Sequence, residues 1–211
     1  MARSSATLTR QRTPSLEVTP AVVAAALRII GSEGHDALTV RRLAAEAGVA
    51  PMTIYNRFGD MHGVFDAVFQ HGFERFAQEL QASVRRLDPV LDLHRMGVAY
   101  RRFALDNPDL YRFMFLDSIA DLEPSTDSSL AAARAFDVLF TVVRHGLDDA
   151  RFRPGDAAVI AQEVWAACHG SVALELLGMC EFADAGTTYD SLLITILRGL
   201  LVDPAESEAL V

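Results

Sequence analysis

The residues most able to do chemistry sit in one short stretch, Pro51-Met52-Thr53-Ile54-Tyr55-Asn56-Arg57-Phe58. Hydroxyl, amide and guanidinium groups gather there within two helical turns. An asparagine can read an adenine edge, an arginine a guanine edge, and a threonine or methionine methyl a thymine methyl. The hydroxyls of Thr39 and Tyr55, together with amides at a helix N-terminus, suit phosphate oxygens. Catalytic constellations are missing by contrast. The six histidines form neither HExxH nor another close ligand spacing. Cys168 and His169 are neighbours, so on a helix their side chains diverge and make a poor nucleophile–base pair. No glycine-rich phosphate loop occurs. The expectation is a binding protein rather than an enzyme, with no metal and no cofactor.

For these groups to share a surface they must be mounted on short helices. Thr19-Pro20 reads as a cap followed by a first-turn proline, and Val23, Ala26, Leu27 and Ile30 follow at helical spacing. Gly34 is a stop. Thr39 caps a second helix, in which Val40, Leu43, Ala44 and Ala47 repeat the period, and Gly48 ends it. Pro51 opens a third, ending near Phe58. In this third helix Ile54 and Phe58 face inward, while Met52, Thr53, Asn56 and Arg57 lie on the other side. Gly48 gives the backbone freedom for the turn, and Val49 plugs the angle between the helices, so the pair makes a helix-turn-helix. Asp60 caps a longer fourth helix reaching about Leu87. Further helices are expected from Pro89 to Asp106, from Asn107-Pro108 through Phe115, and at about 129–148, 154–178 and 187–202. No period-two ladder and no internal repeat appears.

Composition supports this division. The 211-residue chain is 51% hydrophobic, ample for a core. Its net charge of −9 is uneven: residues 1–60 carry a balance of +2 and the remainder −11, with arginine the sole strong base. A mildly basic front on an acidic body fits two modules with different partners. Charged or polar groups interrupt every apolar run, so no membrane span is expected. The N-terminus lacks the apolar core of a secretory signal. With two cysteines, Cys168 and Cys180, too far apart along a helix to bridge, a reduced cytoplasmic setting is expected.

The segment "GSEGHDALTVRRLAAEAGVAPMTIYNRFGDMHGVF" resembles the N-terminal domain of TetR-type transcriptional regulators. Gly34, Thr39, Leu43, Ala44, Ala47-Gly48-Val49, Thr53, Tyr55 and Phe58 keep the family's order and spacing. The resemblance implies that Thr39, Thr53 and Tyr55 touch the phosphate backbone, that Pro51, Met52, Asn56 and Arg57 read the groove, and that the protein is a homodimer on double-stranded operator DNA. One departure stands out. The family carries a lysine three residues after Phe58, where this chain has Met61 and then His62. Either a protonated His62, or Arg41, Arg42 and the arm arginines Arg3, Arg10 and Arg12, would then supply the phosphate contact.

Behind the reader, "WAACHGSVALELLG" and "NPDLYRFMF" resemble a TetR C-terminal ligand-binding domain of the Trp-His-Gly type, marked here by Trp165, His169 and Gly170. Gly170 would let another helix approach closely. Aromatic residues scattered through these helices are for the most part core, but a subset would line an apolar pocket: Phe69, Phe73, Tyr100, Phe103, Phe113, Phe136, Phe140, Trp165 and His169. Tyr100, His169 and Glu175 are the polar groups available for orienting a ligand. His169 reads first as a satisfied core histidine, with a ligand contact as the alternative. Ala157, Ala161, Ala166, Gly170 and Ala173, with an apolar stripe of Leu193, Ile196, Leu197 and Leu200, would form the dimer surface of a four-helix bundle. The expected layout is all-α with about nine helices: a flexible arm over 1–18, a three-helix DNA-binding domain over 19–66, a ligand-binding and dimerisation domain over 67–204, and a tail over 205–211. The function implied is a repressor released from DNA by a small apolar or aromatic effector. The alternative is an all-α binding or interaction module that has lost DNA affinity.

Overall fold

The computed structural model describes residues 18–117, 123–181, 183–205 and 207. The expected arm with Arg3, Arg10 and Arg12, part of the loop before residue 126, and most of the tail lie outside them. Nine α-helices and a 3₁₀ turn at His35–Ala37 lie among the described residues, with one isolated antiparallel bridge, Phe152 to Leu201. Two compact units divide between Val68 and Phe69.

The smaller unit holds α1 (Val18–Glu33), a 3₁₀ turn (His35–Ala37), α2 (Val40–Ala47), α3 (Pro51–Phe58) and the start of α4 (Met61–Ser83). Its core includes Val22, Val23, Ala26, Ile29 and Ile30 of α1, Leu43 and Ala44 of α2, and Ile54 of α3. The expected cap at Thr19 is displaced. Helix α1 already includes Val18, so Pro20 falls inside its first turn, where a missing N–H costs nothing. Thr39 does cap α2: its hydroxyl accepts from Arg42 N at 3.3 Å. Gly48 ends that helix at φ +69°, a left-handed conformation natural to glycine. Asp60 caps α4 by accepting from Gly63 N at 3.1 Å.

The larger unit holds the rest of α4, then α5 (Pro89–Asp106), α6 (Pro108–Phe115), α7 (Thr126–Asp148), α8 (Ala157–Leu176) and α9 (Ala185–Leu200). Helix α5 is central and packs on α6, α7, α8 and α9. Helix α4 stops at Ser83, short of the expected Leu87. The cause is Asp92, a buried carboxylate on α5. It accepts from Arg85 N at 2.9 Å and Arg86 N at 2.7 Å, while Arg86 adopts φ +57°. Those contacts turn the chain into α5, whose first turn Asp88 caps.

Two expectations about the last helices change. Leu193 and Leu197 point into their own unit and are buried, while Ile196 and Leu200 are half-buried, so half of the expected stripe on α9 is core rather than outer surface. Helix α8 is long and apolar enough to cross a membrane by length and composition alone, with a mean hydropathy of 1.2, although no such run was expected. Only 22% of that stretch is buried within the chain. Cys180 falls beyond the end of α8, and both cysteines are free.

Candidate functional site

In the smaller unit, the tight turn at Gly48 sets α3 against α2 so that Ile54 is fully buried and Phe58 half-buried. Val49 is half-buried at the turn, and its amide donates to Ala44 O at 2.9 Å. The other side of α3 is open. Met52 is 64% exposed and Tyr55 50%, with Pro51, Asn56 and Arg57 exposed and Thr53 half-buried. Large apolar and aromatic groups are expensive to leave in water, and here they flank an amide and a guanidinium on one exposed face. Ala50, the N-cap of α3, offers no side-chain acceptor, so first-turn amides are left without a side-chain cap.

The arginines of this unit differ in freedom. Arg42 is locked in a fork on Glu33, which holds the Glu33 carboxyl below the usual range, first through that hydrogen bond. Arg57 donates to Thr19 Oγ1 at 2.8 Å, which ties α3 to the start of α1. Arg28 pairs with Glu46 at 2.7 Å. Arg41 is exposed and makes no ion pair with a described residue. Met61 is half-buried, and His62 is exposed with Nδ1 3.9 Å from Asp60 Oδ2. The pairing of Arg42 with Glu33 was not legible from spacing, because it joins the end of α1 to α2 through the fold.

The larger unit contains an apolar cavity of about 300 Å³. Four of the expected pocket residues line it: Phe73, Tyr100, Phe136 and Trp165. The other five do not. Phe69 packs on Phe73 at 4.7 Å, Phe103 on Phe76 at 4.9 Å, and Arg144 lies over Phe140 at 5.7 Å. Phe113 is buried, and His169 stands behind the wall. The lining residues that the sequence reading passed over include Leu93, His94, Met96 and Gly97 of α5, Ala135 and Leu139 of α7, and Leu193, Ile196 and Leu197 of α9. Some were within reach, since Leu93, Met96, Gly97 and Tyr100 share one face of α5 by helical spacing. Direction along α9 was not, because a period says that a stripe is buried without saying against what.

Behind the cavity sits a polar cluster. Tyr100 and Tyr111 hydroxyls are 2.8 Å apart, and His169 Nδ1 is 3.2 Å from the first and 2.8 Å from the second. Burial pushes both phenols above their ordinary range, so both keep their protons. The cluster is satisfied when Tyr100 donates to Tyr111 and Tyr111 donates to Nδ1, which leaves the His169 proton on Nε2. Desolvation lowers the His169 pKa and agrees with a neutral acceptor. Trp165 stacks on His169, with ring centroids 5.5 Å apart. Nearby, Arg101 grips Glu175 at 2.6 and 2.8 Å, so Glu175 is committed to joining α5 to α8. Tyr189 donates to Gly97 O at 2.8 Å, which fixes α9 on α5.

Both units match family models of one kind. Residues 22–68 match the model for bacterial regulatory proteins of the tetR family. Residues 93–196 match the model for the tetracyclin repressor-like C-terminal domain. The chain belongs to the TetR family of transcriptional regulators. A curated relative, the HTH-type transcriptional regulator Rv0681 of Mycobacterium tuberculosis, is 26% identical over 182 residues, covering 85% of this chain and 79% of its own. Among solved structures, a protein of unknown function from Rhodococcus sp. RHA1 superposes with a TM-score of 0.78 at 26% identity, covering 87% of this chain and 95% of that one. The transcriptional regulator FadR of Bacillus subtilis, solved with stearoyl-CoA, gives a TM-score of 0.73 at 17% identity, covering 85% of this chain and 98% of its own. That last likeness is one of fold. With the helix-turn-helix and the all-α architecture, these matches make this TetR-family chain a DNA-binding transcriptional regulator.

Proposed function

We propose that this TetR-family protein is a cytoplasmic homodimeric repressor, released from its operator by a small apolar or aromatic effector bound in the larger unit. One observation carries the reading: a single chain combines an exposed, base-reading kind of helix face on α3 with an apolar cavity of about 300 Å³, at the low end of the usual range for small-molecule sites. Met52, Asn56 and Arg57, with Pro51, are assigned to the major groove. Thr39, Thr53, Tyr55 and the α3 amides are assigned to phosphates. The charge absent at Met61 is assigned to Arg41 rather than to Arg42, whose guanidinium is engaged by Glu33, with His62 as a lesser contributor.

The dimer is assigned to the outward face of α8, with α9 beside it. Val159, Ala166, Gly170 and Leu174 recur at helical spacing on α8, with Leu177 at its C-cap, and are exposed or half-exposed in the isolated chain. A Cβ at Gly170 or Gly199 would meet nothing within 4 Å in this chain, which leaves room for a partner helix. Leaving the apolar Val159, Ala166 and Leu174 in water is expensive, and pairing of α8 with its copy in a four-helix bundle removes that cost. Trp165 stacked on His169, with Gly170 beside them, supports the Trp-His-Gly type of C-terminal domain. Effector coupling is assigned to α4, which belongs to both units. It would lower DNA affinity by a coupling energy of about 1–3 kcal/mol.

The test is fluorescence anisotropy on the intergenic DNA upstream of the gene, over a salt series, with sedimentation to read the oligomer. Expected are a dimer and an affinity that falls steeply with salt. Salt-independent binding, or none in a protein that sediments as a folded dimer, would favour the alternative of a binding module without DNA affinity.

A further inference from the structure

A second concavity, a groove of about 450 Å³, is lined by Glu79, Ser83, Arg85, Arg95, Arg102 and His94 among others. His94 also lines the apolar cavity. Helical spacing explains the sharing. Helix α5 turns Leu93, Met96, Gly97 and Tyr100 to the cavity and Arg95, Val98, Ala99 and Arg102 to the groove, with His94 on the edge between. Helix α4 does the same, with Phe76 and Leu80 on one side and Glu79 and Ser83 on the other.

The two spaces differ in charge. Apart from His94, no ionisable group but Tyr100 and Cys168 lines the cavity, and burial raises the pKa of both, which keeps them neutral. A charge placed inside would lie unpaired in a low-dielectric wall, so any charged end of a ligand belongs outside. In the groove, three arginines face one glutamate. Arg102 reaches Glu79 at 3.3 Å, and Arg95 reaches Asp92 at 3.5 Å. The Asp92 carboxylate is buried and already accepts two backbone amides, so it offers nothing to a ligand. The Arg85 guanidinium is exposed and makes no ion pair with a described residue. Asp190 of α9 adds one negative charge near His94, against these arginines.

We propose that cavity and groove form one site for an amphipathic ligand: an apolar body in the cavity, and an anionic head at the His94 end held by Arg85, Arg95 and Arg102. The proposal rests on the reading of the cavity as an effector site and adds the chemical class. Burial leaves the His94 imidazole largely neutral at physiological pH, able to donate one N–H to the linking or head group without adding a charge.

The test uses the full chain and three probes with one tail: decanoate, decan-1-ol and decylamine. Calorimetric titration should rank decanoate tighter than decan-1-ol by about tenfold or more, as charge-assisted hydrogen bonds would give, with decylamine weakest. Arg85→Gln with Arg102→Gln should bring decanoate down to the affinity of decan-1-ol, erasing the preference, because both guanidiniums line the groove and neither lines the cavity. Ala135→Leu, and separately Ala132→Phe at a half-buried position, should weaken all three by filling the space. Equal binding of acid and alcohol, or a preference that survives the arginine variants, overturns the anionic head while leaving the cavity as an effector site. Failure of all three probes to bind, or binding indifferent to both filling variants, overturns the cavity reading as well.

Discussion

Tyr111 Oη lies 2.8 Å from His169 Nδ1, and this contact ties α6 to α8 behind the apolar cavity. Tyr100 from α5 completes the chain at 2.8 Å from Tyr111. Three helices therefore meet at one buried proton ladder. Removing one rung leaves a buried polar group without its partner. Tyr111→Phe is expected to cost about 1–3 kcal/mol, read as a lower urea midpoint with an unchanged slope.

The same ladder makes stability depend on pH. The folded His169 pKa lies below the ordinary 6.5, because burial disfavours the imidazolium. The unfolded chain therefore takes up protons first as pH falls. Stability is fully present above about 6.5 and is lost as pH drops from there through the folded value. His71 and His94 shift the same way and for the same leading reason. Melting curves between pH 5 and 8 should show the decline on the acid side, and His169→Gln should make it shallower. An equally steep decline in that variant would remove His169 from the account.

Part of this architecture was legible in the sequence and part was not, for physical reasons. Caps and stops are local: Thr39, Gly34, Gly48, Asp60 and Pro89 act on amides a few residues away, so their types and positions reveal them. Thr19 misled because Pro20 is accepted anywhere in a first turn. What required the fold were side chains whose partners are remote. Glu175 reads as a possible ligand contact until Arg101 is seen to claim it. Arg42 reads as a free cation until Glu33 is beside it. His169 reads both ways, and its two tyrosine partners lie 58 and 69 residues away in sequence. On α8 the periodic signal fails outright, since apolar residues surround the helix and no face stands out.

The helix-turn-helix depends on Gly48 for conformation rather than for space. Its φ is +69°, yet a Cβ there would meet nothing within 4 Å. Gly48→Ala should therefore cost about 1–2 kcal/mol, the penalty of a left-handed alanine, without displacing α3. Asn, which tolerates that region, should restore part of the loss. Thermal melts of the two variants check this, and an alanine variant as stable as the parent would mean the turn relaxes elsewhere.

Recognition and folding separate on α3. Tyr55 and Thr53 lie on its open side, whereas Ile54 is fully buried between them in sequence. Thr53→Ala with Tyr55→Phe should change stability by no more than about 0.5 kcal/mol per site while weakening operator binding roughly tenfold, since two phosphate hydrogen bonds go. Ile54→Ala should cost about 2–5 kcal/mol through cavity formation and lose DNA binding by loosening the unit. Parallel melts and anisotropy titrations distinguish the two. A double variant that binds DNA as tightly as the parent would remove Thr53 and Tyr55 from the interface.

Among the glycines of the larger unit that would crowd a neighbour if given a side chain, Gly97 and Gly146 face neighbours that differ in their freedom to move. At Gly97 an added Cβ would come within 2.4 Å of Leu193 Cδ2, the tip of a flexible side chain that borders the cavity. Leu193 can swing into that empty space. Gly97→Ala should cost little, near the low end of the about 1–3 kcal/mol typical of overpacking, and should shrink the cavity and weaken ligand binding. At Gly146 the added Cβ would lie 2.2 Å from two atoms of the Phe152 ring. Phe152 is 1% exposed, and its backbone bridges to Leu201, so the ring has nowhere to go. Gly146→Ala should reach or exceed the upper end of that range and leave the cavity unchanged. Urea melts rank the two variants and titration with a cavity probe separates them. If Gly97→Ala proved the more destabilising, Leu193 would have to be held far more tightly than its place beside open space allows.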